Sequence, residues 1–71
     1  MAEEVRAEMV ANVFKVVVSE GESVQPGDTL VILESMKMEI PVVPETAGKV
    51  TQVKVHEGDV VQEGDLIAVI E

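Results

Sequence analysis

Residues 21–28 read Gly-Glu-Ser-Val-Gln-Pro-Gly-Asp, and residues 58–65 repeat the pattern as Gly-Asp-Val-Val-Gln-Glu-Gly-Asp. Working outward from this pair, residues 13–34 align with residues 50–71 without a gap, and ten of the 22 aligned pairs are identical. We therefore predict two copies of one unit packed about a pseudo-twofold axis, because one copy cannot bury its apolar face alone. The identical pairs are Val13/Val50, Val16/Val53, Val18/Val55, Glu20/Glu57, Gly21/Gly58, Val24/Val61, Gln25/Gln62, Gly27/Gly64, Asp28/Asp65 and Glu34/Glu71.

Glycines mark the loops of each copy. Gly21 and Gly58 follow the first apolar run of their copies, and Gly27 and Gly64 precede the last. Glycine adopts a positive φ without steric cost, so we expect these four residues to form the loop corners.

The apolar runs between the glycines are short and rich in valine, which is typical of an all-β sandwich or barrel. Pro41 and Pro44 cannot donate to a ladder, so the strand that contains Pro41 is predicted at a sheet edge. The predicted extended segments are residues 5–8, 12–18, 22–25, 29–34, 38–43, 48–55, 59–61 and 66–71.

The spacing of the valines predicts an irregularity in one strand of each copy. Val16 and Val18 lie on one face of their strand by the two-residue period, whereas Val13 has the opposite parity. We therefore expect a bulge near residues 14–15 and, by the repeat, near residues 51–52.

Composition limits the function classes. A chain of 71 residues forms one small domain, 1–71, which leaves little room for an enzyme cleft of its own. Five basic residues scattered among 14 acidic ones, for a net charge of −9, exclude a nucleic-acid surface and favour a soluble monomer. The chain has no cysteine, no apolar run of membrane-spanning length and no apolar leader, so we expect a cytoplasmic protein without thiolate metal sites.

Residues 34–39 read Glu-Ser-Met-Lys-Met-Glu; Glu34 ends the first copy, and the hairpin that follows it has no counterpart after Glu71. Strands that end at Glu34 or Ser35 and restart at Met38 leave Met36 and Lys37 as a two-residue hairpin loop. The favoured type I′ loop needs a positive φ at both positions and normally selects Asn-Gly. Two long side chains there are strained, and such strain persists where function requires it.

The segment 34–39 between the two glycine patterns at 21–28 and 58–65 resembles the biotinyl/lipoyl attachment domains, most closely the small free-standing biotin carriers. The resemblance implies a flattened β-barrel of two four-stranded sheets with a modified lysine at a hairpin tip. It implies biotin on Lys37, attached by a biotin protein ligase that recognises Glu34, Ser35, Met36, Met38 and Glu39. The chain would then be a non-catalytic carrier of carboxyl groups between biotin carboxylase and carboxyltransferase.

Two other functions remain open at this point. A lipoyl carrier of a 2-oxoacid dehydrogenase, or a dual biotin and lipoyl acceptor, would share the fold and the lysine position, although the methionines favour biotin. A structural barrel without modification is the third class. Met38 could also fill a gap in the core, since methionine adapts to irregular cavities. His56 is predicted to face solvent, and Lys15, Lys49 and Lys54 are predicted to stay unmodified.

Overall fold

The computed structural model describes residues 2–71, which fold as eight β-strands. The described part of the chain contains no helix with the length and hydropathy that a bilayer-spanning segment requires. The strands are β1 (Glu3–Arg6), β2 (Ala11–Val16), β3 (Ser23–Val24), β4 (Val31–Ser35), β5 (Met38–Val42), β6 (Gly48–Val53), β7 (Val60–Val61) and β8 (Leu66–Ile70).

The strands form two antiparallel sheets of four, in the orders β1-β8-β6-β3 and β5-β4-β2-β7. The predicted all-β class and the two four-stranded sheets are therefore confirmed. β5, which contains Pro41, lies at a sheet edge as its proline predicts. The second sheet, which contains β4 and β5, is called the hairpin sheet below.

The first strand begins earlier than the sequence indicates. It was predicted at residues 5–8, but β1 spans Glu3–Arg6, because Glu3 pairs with Ile70 and the register shifts after Val5. Ala7 has already left the ladder and exchanges backbone hydrogen bonds with Asp65 and Gly64 instead. The predicted segments 12–18 and 48–55 also overran the ends of β2 and β6 by two residues each.

Reciprocal backbone contacts join the two copies of the repeat. The N–H of Gly21 donates to the carbonyl of Val50 at 2.7 Å, and the N–H of Gly58 donates to the carbonyl of Val13 at 2.8 Å. These four residues exchange places under the 37-residue offset, so the loop of each copy is fixed on the strand of the other. The two sheets correspond strand by strand: β8 is equivalent to β4, and β1, which pairs with β8, is equivalent to β5, which pairs with β4.

The identical residues Glu20 and Glu57 have the same reciprocal role. The carboxylate of Glu57 accepts a hydrogen bond from the N–H of Val16 at 3.3 Å, and that of Glu20 accepts one from Val53 at 3.0 Å. Sequence reasoning identified the pair but gave it no function. The structure shows that each glutamate satisfies a backbone donor at the end of a strand in the other copy.

Bulges bring both valines of opposite parity into the core. The register shifts between Val13 and Lys15 and again between Val50 and Gln52, at the positions that the valine spacing predicts. Val13 and Val50 are therefore buried despite their parity. The core is one cluster of valine, leucine, isoleucine and alanine, and the single aromatic residue, Phe14, lies outside it.

The four loop glycines adopt the left-handed region. Their φ angles lie between +93° for Gly27 and +98° for Gly21, in the range that other residues rarely adopt. Each copy consequently turns twice at the positions where the repeated pattern places glycine.

Glu3 and Glu71 lie at the end of the barrel away from the β4–β5 hairpin. The linker between β5 and β6 leaves β5 at the end remote from that hairpin. At this linker the Glu3 carboxylate accepts hydrogen bonds from the N–H groups of Glu45 and Thr46 and from the Thr46 hydroxyl. Glu71 lies there too, since its N–H donates to the carbonyl of Lys49.

Gly48 is required for close packing. A Cβ atom at this position would lie 2.9 Å from the carbonyl oxygen of Glu71 and 2.9 Å from Cγ2 of Ile70.

We predict that Gly48→Ala lowers the free energy of unfolding by about 1–3 kcal/mol, because the backbone at Glu71 must shift. Urea denaturation measures the change. Lys49→Ala on the same strand is the control, and equal stabilities of the two variants would contradict the packing argument.

The carboxylate of Glu3 links stability to pH. Burial alone would raise the pKa of Glu3, but the hydrogen bonds from Glu45 and Thr46 outweigh it and hold the pKa below its ordinary value. A depressed pKa in the folded state means that the carboxylate stabilises the protein above the unfolded pKa of about 4.3. This stabilisation is lost as the pH falls through the folded pKa.

We therefore expect Glu3→Gln to lower the melting temperature at pH 7, and the difference from wild type to shrink as the pH falls below the unfolded pKa of about 4.3 and to vanish only below the folded pKa of Glu3. Thermal unfolding followed by circular dichroism across this range provides the measurement. Glu4→Gln is the matched control, since the Glu4 carboxylate forms an exposed ion pair with Arg6 at 2.8 Å, a contact that contributes little to stability. A difference that is independent of pH would show that the Glu3 charge is not the cause.

Candidate functional site

The two-residue turn between β4 and β5 has the strained geometry that the sequence predicts. Ser35 and Met38 form the last pair of the ladder, and Met36 and Lys37 connect them with φ angles of 53° and 65°. They are the two non-glycine residues with positive φ in the described chain. Each costs on the order of 1–3 kcal/mol, so the fold maintains a turn that Asn-Gly would form more easily.

The side chains of this turn project into solvent. Met36 is 88% exposed and Met38 is 59% exposed, so neither methionine fills the core, and the packing interpretation of Met38 is wrong. Lys37 is exposed between them. Among the described residues its Nζ has no hydrogen-bond or ion-pair partner. The turn therefore presents a primary amine to the surroundings, flanked by two thioether side chains.

Glu34 and Glu39 face each other across the base of the hairpin. They are direct cross-strand partners, and both are exposed on the outer face of the sheet. Like charges in this arrangement destabilise a ladder by a few tenths of a kcal/mol or more. Their two negative charges give the base of the hairpin a negative potential. Ser35, the residue after Glu34, is half-buried.

Two further strands contribute residues that the sequence reasoning missed. Asn12 on β2 pairs with Glu34 on one side and with Val60 of β7 on the other, so all three share the outer face. Val10, Asn12 and Val60 line an open groove of about 400 Å³ together with Met36 and Lys37. The sequence does contain one indication of Val60: the repeat aligns it with the polar Ser23, so the fold itself does not require an apolar side chain at this position.

The remaining titratable candidates lie elsewhere. His56 is exposed just after β6, and its N–H donates to the Asp59 carboxylate at 2.8 Å, which agrees with the predicted solvent-facing position. Lys15 and Lys49 lie on β2 and β6, and Lys54 directly follows β6. Of the four lysines, Lys37 is therefore the one that lies in the two-residue turn between β4 and β5.

Comparison with known proteins gives consistent relationships. The family described as "Biotin-requiring enzyme" matches residues 3–70. The biotinylated protein TB7.3 homolog of Mycobacterium leprae is 66% identical over 51 residues, which cover 72% of each chain. The biotin/lipoyl attachment protein of Bacillus subtilis is 48% identical over 44 residues, 62% of this chain and 60% of that protein.

A crystal structure shares the fold. The urea carboxylase of Kluyveromyces lactis matches 100% of this chain with 6% of its own, at a TM-score of 0.94 and 38% sequence identity. The aligned segments span 72% of the Mycobacterium leprae relative and 60% of the Bacillus subtilis relative. The family match over residues 3–70, with the two four-stranded sheets and the strained lysine turn, shows that the chain belongs to the biotin/lipoyl attachment family.

Proposed function

We propose that this protein is a biotin carrier, with biotin joined by an amide bond to Nζ of Lys37. The observation that carries the proposal is the position of Lys37 at the second residue of a strained two-residue turn, exposed and unpaired within the described chain. The names of the relatives, a biotinylated protein and a biotin/lipoyl attachment protein, support this assignment.

The chain supplies the nucleophile for its own modification and leaves the activation to a partner. A biotin protein ligase would present biotinyl-adenylate, and the neutral amine of Lys37 would attack its acyl carbon. The new amide forms as the bond to AMP breaks, and the released phosphate oxygen takes the electron pair. No carboxylate or imidazole of the described chain contacts Nζ, so the ammonium proton passes to solvent or to a base of the ligase.

The hairpin suits a carrier because its strands are held in the sheet, whereas the side chain of Lys37 at its tip extends into solvent. β4 is an interior strand that pairs with β5 and β2, and a two-residue turn leaves the backbone of Lys37 little freedom. Biotin bound there supplies a ureido nitrogen that takes up a carboxyl group at one enzyme and releases it at another. The rigid turn fixes where the lysine side chain begins, and rotation about its own bonds gives the reach.

We further propose that the chain performs no catalysis and serves biotin carboxylase and carboxyltransferase subunits in the cytoplasm. The match to a segment of a urea carboxylase supports carboxylase partners. The absence of cysteine supports a reducing compartment. The Bacillus subtilis relative favours one alternative, a dual biotin and lipoyl acceptor at the same lysine.

Intact mass spectrometry of protein from cells that express its ligase tests the proposal. We expect a mass increment of one biotinyl group in the wild type and its loss in Lys37→Arg, which keeps the charge but removes the nucleophile. Lys49→Arg is the matched control and should retain the increment. A lipoyl increment would favour the alternative, and an increment that survives in Lys37→Arg would contradict the site.

The strained turn generates a second prediction. Met36→Asn should raise the free energy of unfolding by about 1 kcal/mol, because asparagine tolerates a positive φ at the first turn position. The same variant should be biotinylated more slowly, because it removes a thioether that is 88% exposed beside the amine. Urea denaturation and the initial rate of biotinylation measure the two effects. A variant that is more stable and biotinylated at the wild-type rate would show that Met36 has no part in modification.

A further inference from the structure

The exposed apolar side chains are concentrated on the hairpin sheet and the segments that adjoin its strands. Within residues 2–71, each large apolar residue with substantial exposure lies on a strand of the hairpin sheet or in a segment adjoining one. The other sheet, β1-β8-β6-β3, has none in its strands. These exposed residues are Met9, Val10, Phe14, Val17, Met36, Met38, Val43 and Val60.

The internal repeat provides a control for this asymmetry. Two copies of one fold need the same residues for folding, so an exposed apolar side chain present in only one copy is not required by the fold. Seven of the exposed residues have a counterpart at the 37-residue offset, and six of these counterparts are polar, charged or alanine; the exception is Met38, which aligns with Met1. The six pairs are Met9/Thr46, Val10/Ala47, Phe14/Thr51, Val17/Lys54, Val43/Arg6 and Val60/Ser23.

Part of this apolar surface adjoins the reactive lysine. Val10 and Val60, which are 63% and 66% exposed, line the same groove as Met36 and Lys37. Asn12 lies between Val60 and Glu34 in the ladder, and Glu39 continues the row on the far side of Glu34. The groove therefore has apolar walls at Val60 of β7 and at Val10, just before β2, and Glu34 at its edge by the base of the hairpin, with Glu39 beside Glu34 outside the groove.

We propose that Val10, Val60 and Met36 form the docking surface for the biotin protein ligase, with Glu34 and Glu39 as its charged edge. The inference rests on the proposed biotinylation of Lys37. The ligase is the partner that must come closest, because the acyl carbon has to reach bonding distance of Nζ itself. A carboxylase needs to reach only the far end of the biotinyl arm, so it can act without contact at the base of Lys37.

The chemistry of the surface defines the complementary face of the ligase. An apolar centre with a polar rim is the usual composition of a specific protein interface, and exposed valines and methionine provide that centre. Glu34 and Glu39, in a chain of net charge −9, call for cationic groups opposite them. The ligase should therefore present an apolar patch beside basic residues that face the hairpin base.

Steady-state biotinylation kinetics of Val60→Ser with purified ligase test the docking surface. Serine is the residue that Ser23 supplies at the equivalent position of β3, so the substitution is compatible with the strand. We expect kcat/KM to fall about tenfold through a higher KM at unchanged kcat, since apolar contact is lost equally in the ground and transition states. The double variant with Val10→Ala, which introduces the counterpart Ala47, should fall further.

Val17→Ser is the matched control. Val17 is 46% exposed and directly follows β2 of the hairpin sheet, at the strand end that is remote from the hairpin, where Val16 pairs with Val31. Its kinetics should equal those of the wild type. An unchanged KM in Val60→Ser, an equal rise in both variants, or a fall in kcat alone would overturn the docking surface.

The two proposals fail in distinguishable ways. Wild-type protein that the ligase does not modify would overturn the biotin carrier proposal together with the docking surface. Wild-type protein that is modified at Lys37 while Val60→Ser matches it would overturn only the docking surface. Thermal unfolding of each variant, expected to match wild type, separates a kinetic change from loss of folded protein.

Discussion

The structure depends on reciprocal hydrogen bonds through which each half of the chain completes the other. The backbone of Gly21 donates to Val50, and the backbone of Gly58 donates to Val13 at nearly the same distance. Neither loop can form its contact until the opposite copy has placed its strand. Since each copy also supplies six of the fifteen buried residues of the apolar cluster, pairing of the copies and burial of the core are one event.

Function resides where this symmetry is broken. The chain passes from one copy to the next through β5, whereas the equivalent position beside β8 is occupied by β1 from the beginning of the chain. The duplicated elements carry the loop glycines and the glutamates that bind across the copies. The turn, which has no duplicate, carries Met36 and Lys37, and Met38 directly follows it as the first residue of β5. The folding unit is thus duplicated, whereas the exposed lysine turn occurs once.

Much of this architecture could be predicted from the sequence because its causes are local or repeated. Positive φ at the loop glycines, the bulges beside Val13 and Val50 and the two-residue turn all follow from residue type and spacing. The missed features depend on residues far apart in the chain. Gly48 is needed because the backbone of Glu71 passes against it, and Glu3 is held by a linker some 42 residues away. The groove beside Lys37 likewise combines β2, β4 and β7, and no single stretch of sequence displays it.

The placement of Glu3 and Glu71 opposite the hairpin has a consequence for larger assemblies. The barrel measures 32 × 18 × 18 Å, and additional polypeptide joined beside Glu3 or Glu71 would emerge at the end remote from the β4–β5 hairpin. A tether at that end leaves the lysine end free to enter a partner. The same fold can therefore serve as a separate small protein or be spliced into a long polypeptide, as the 6% segment of the urea carboxylase illustrates. The fold is the same whether or not it is joined to further polypeptide.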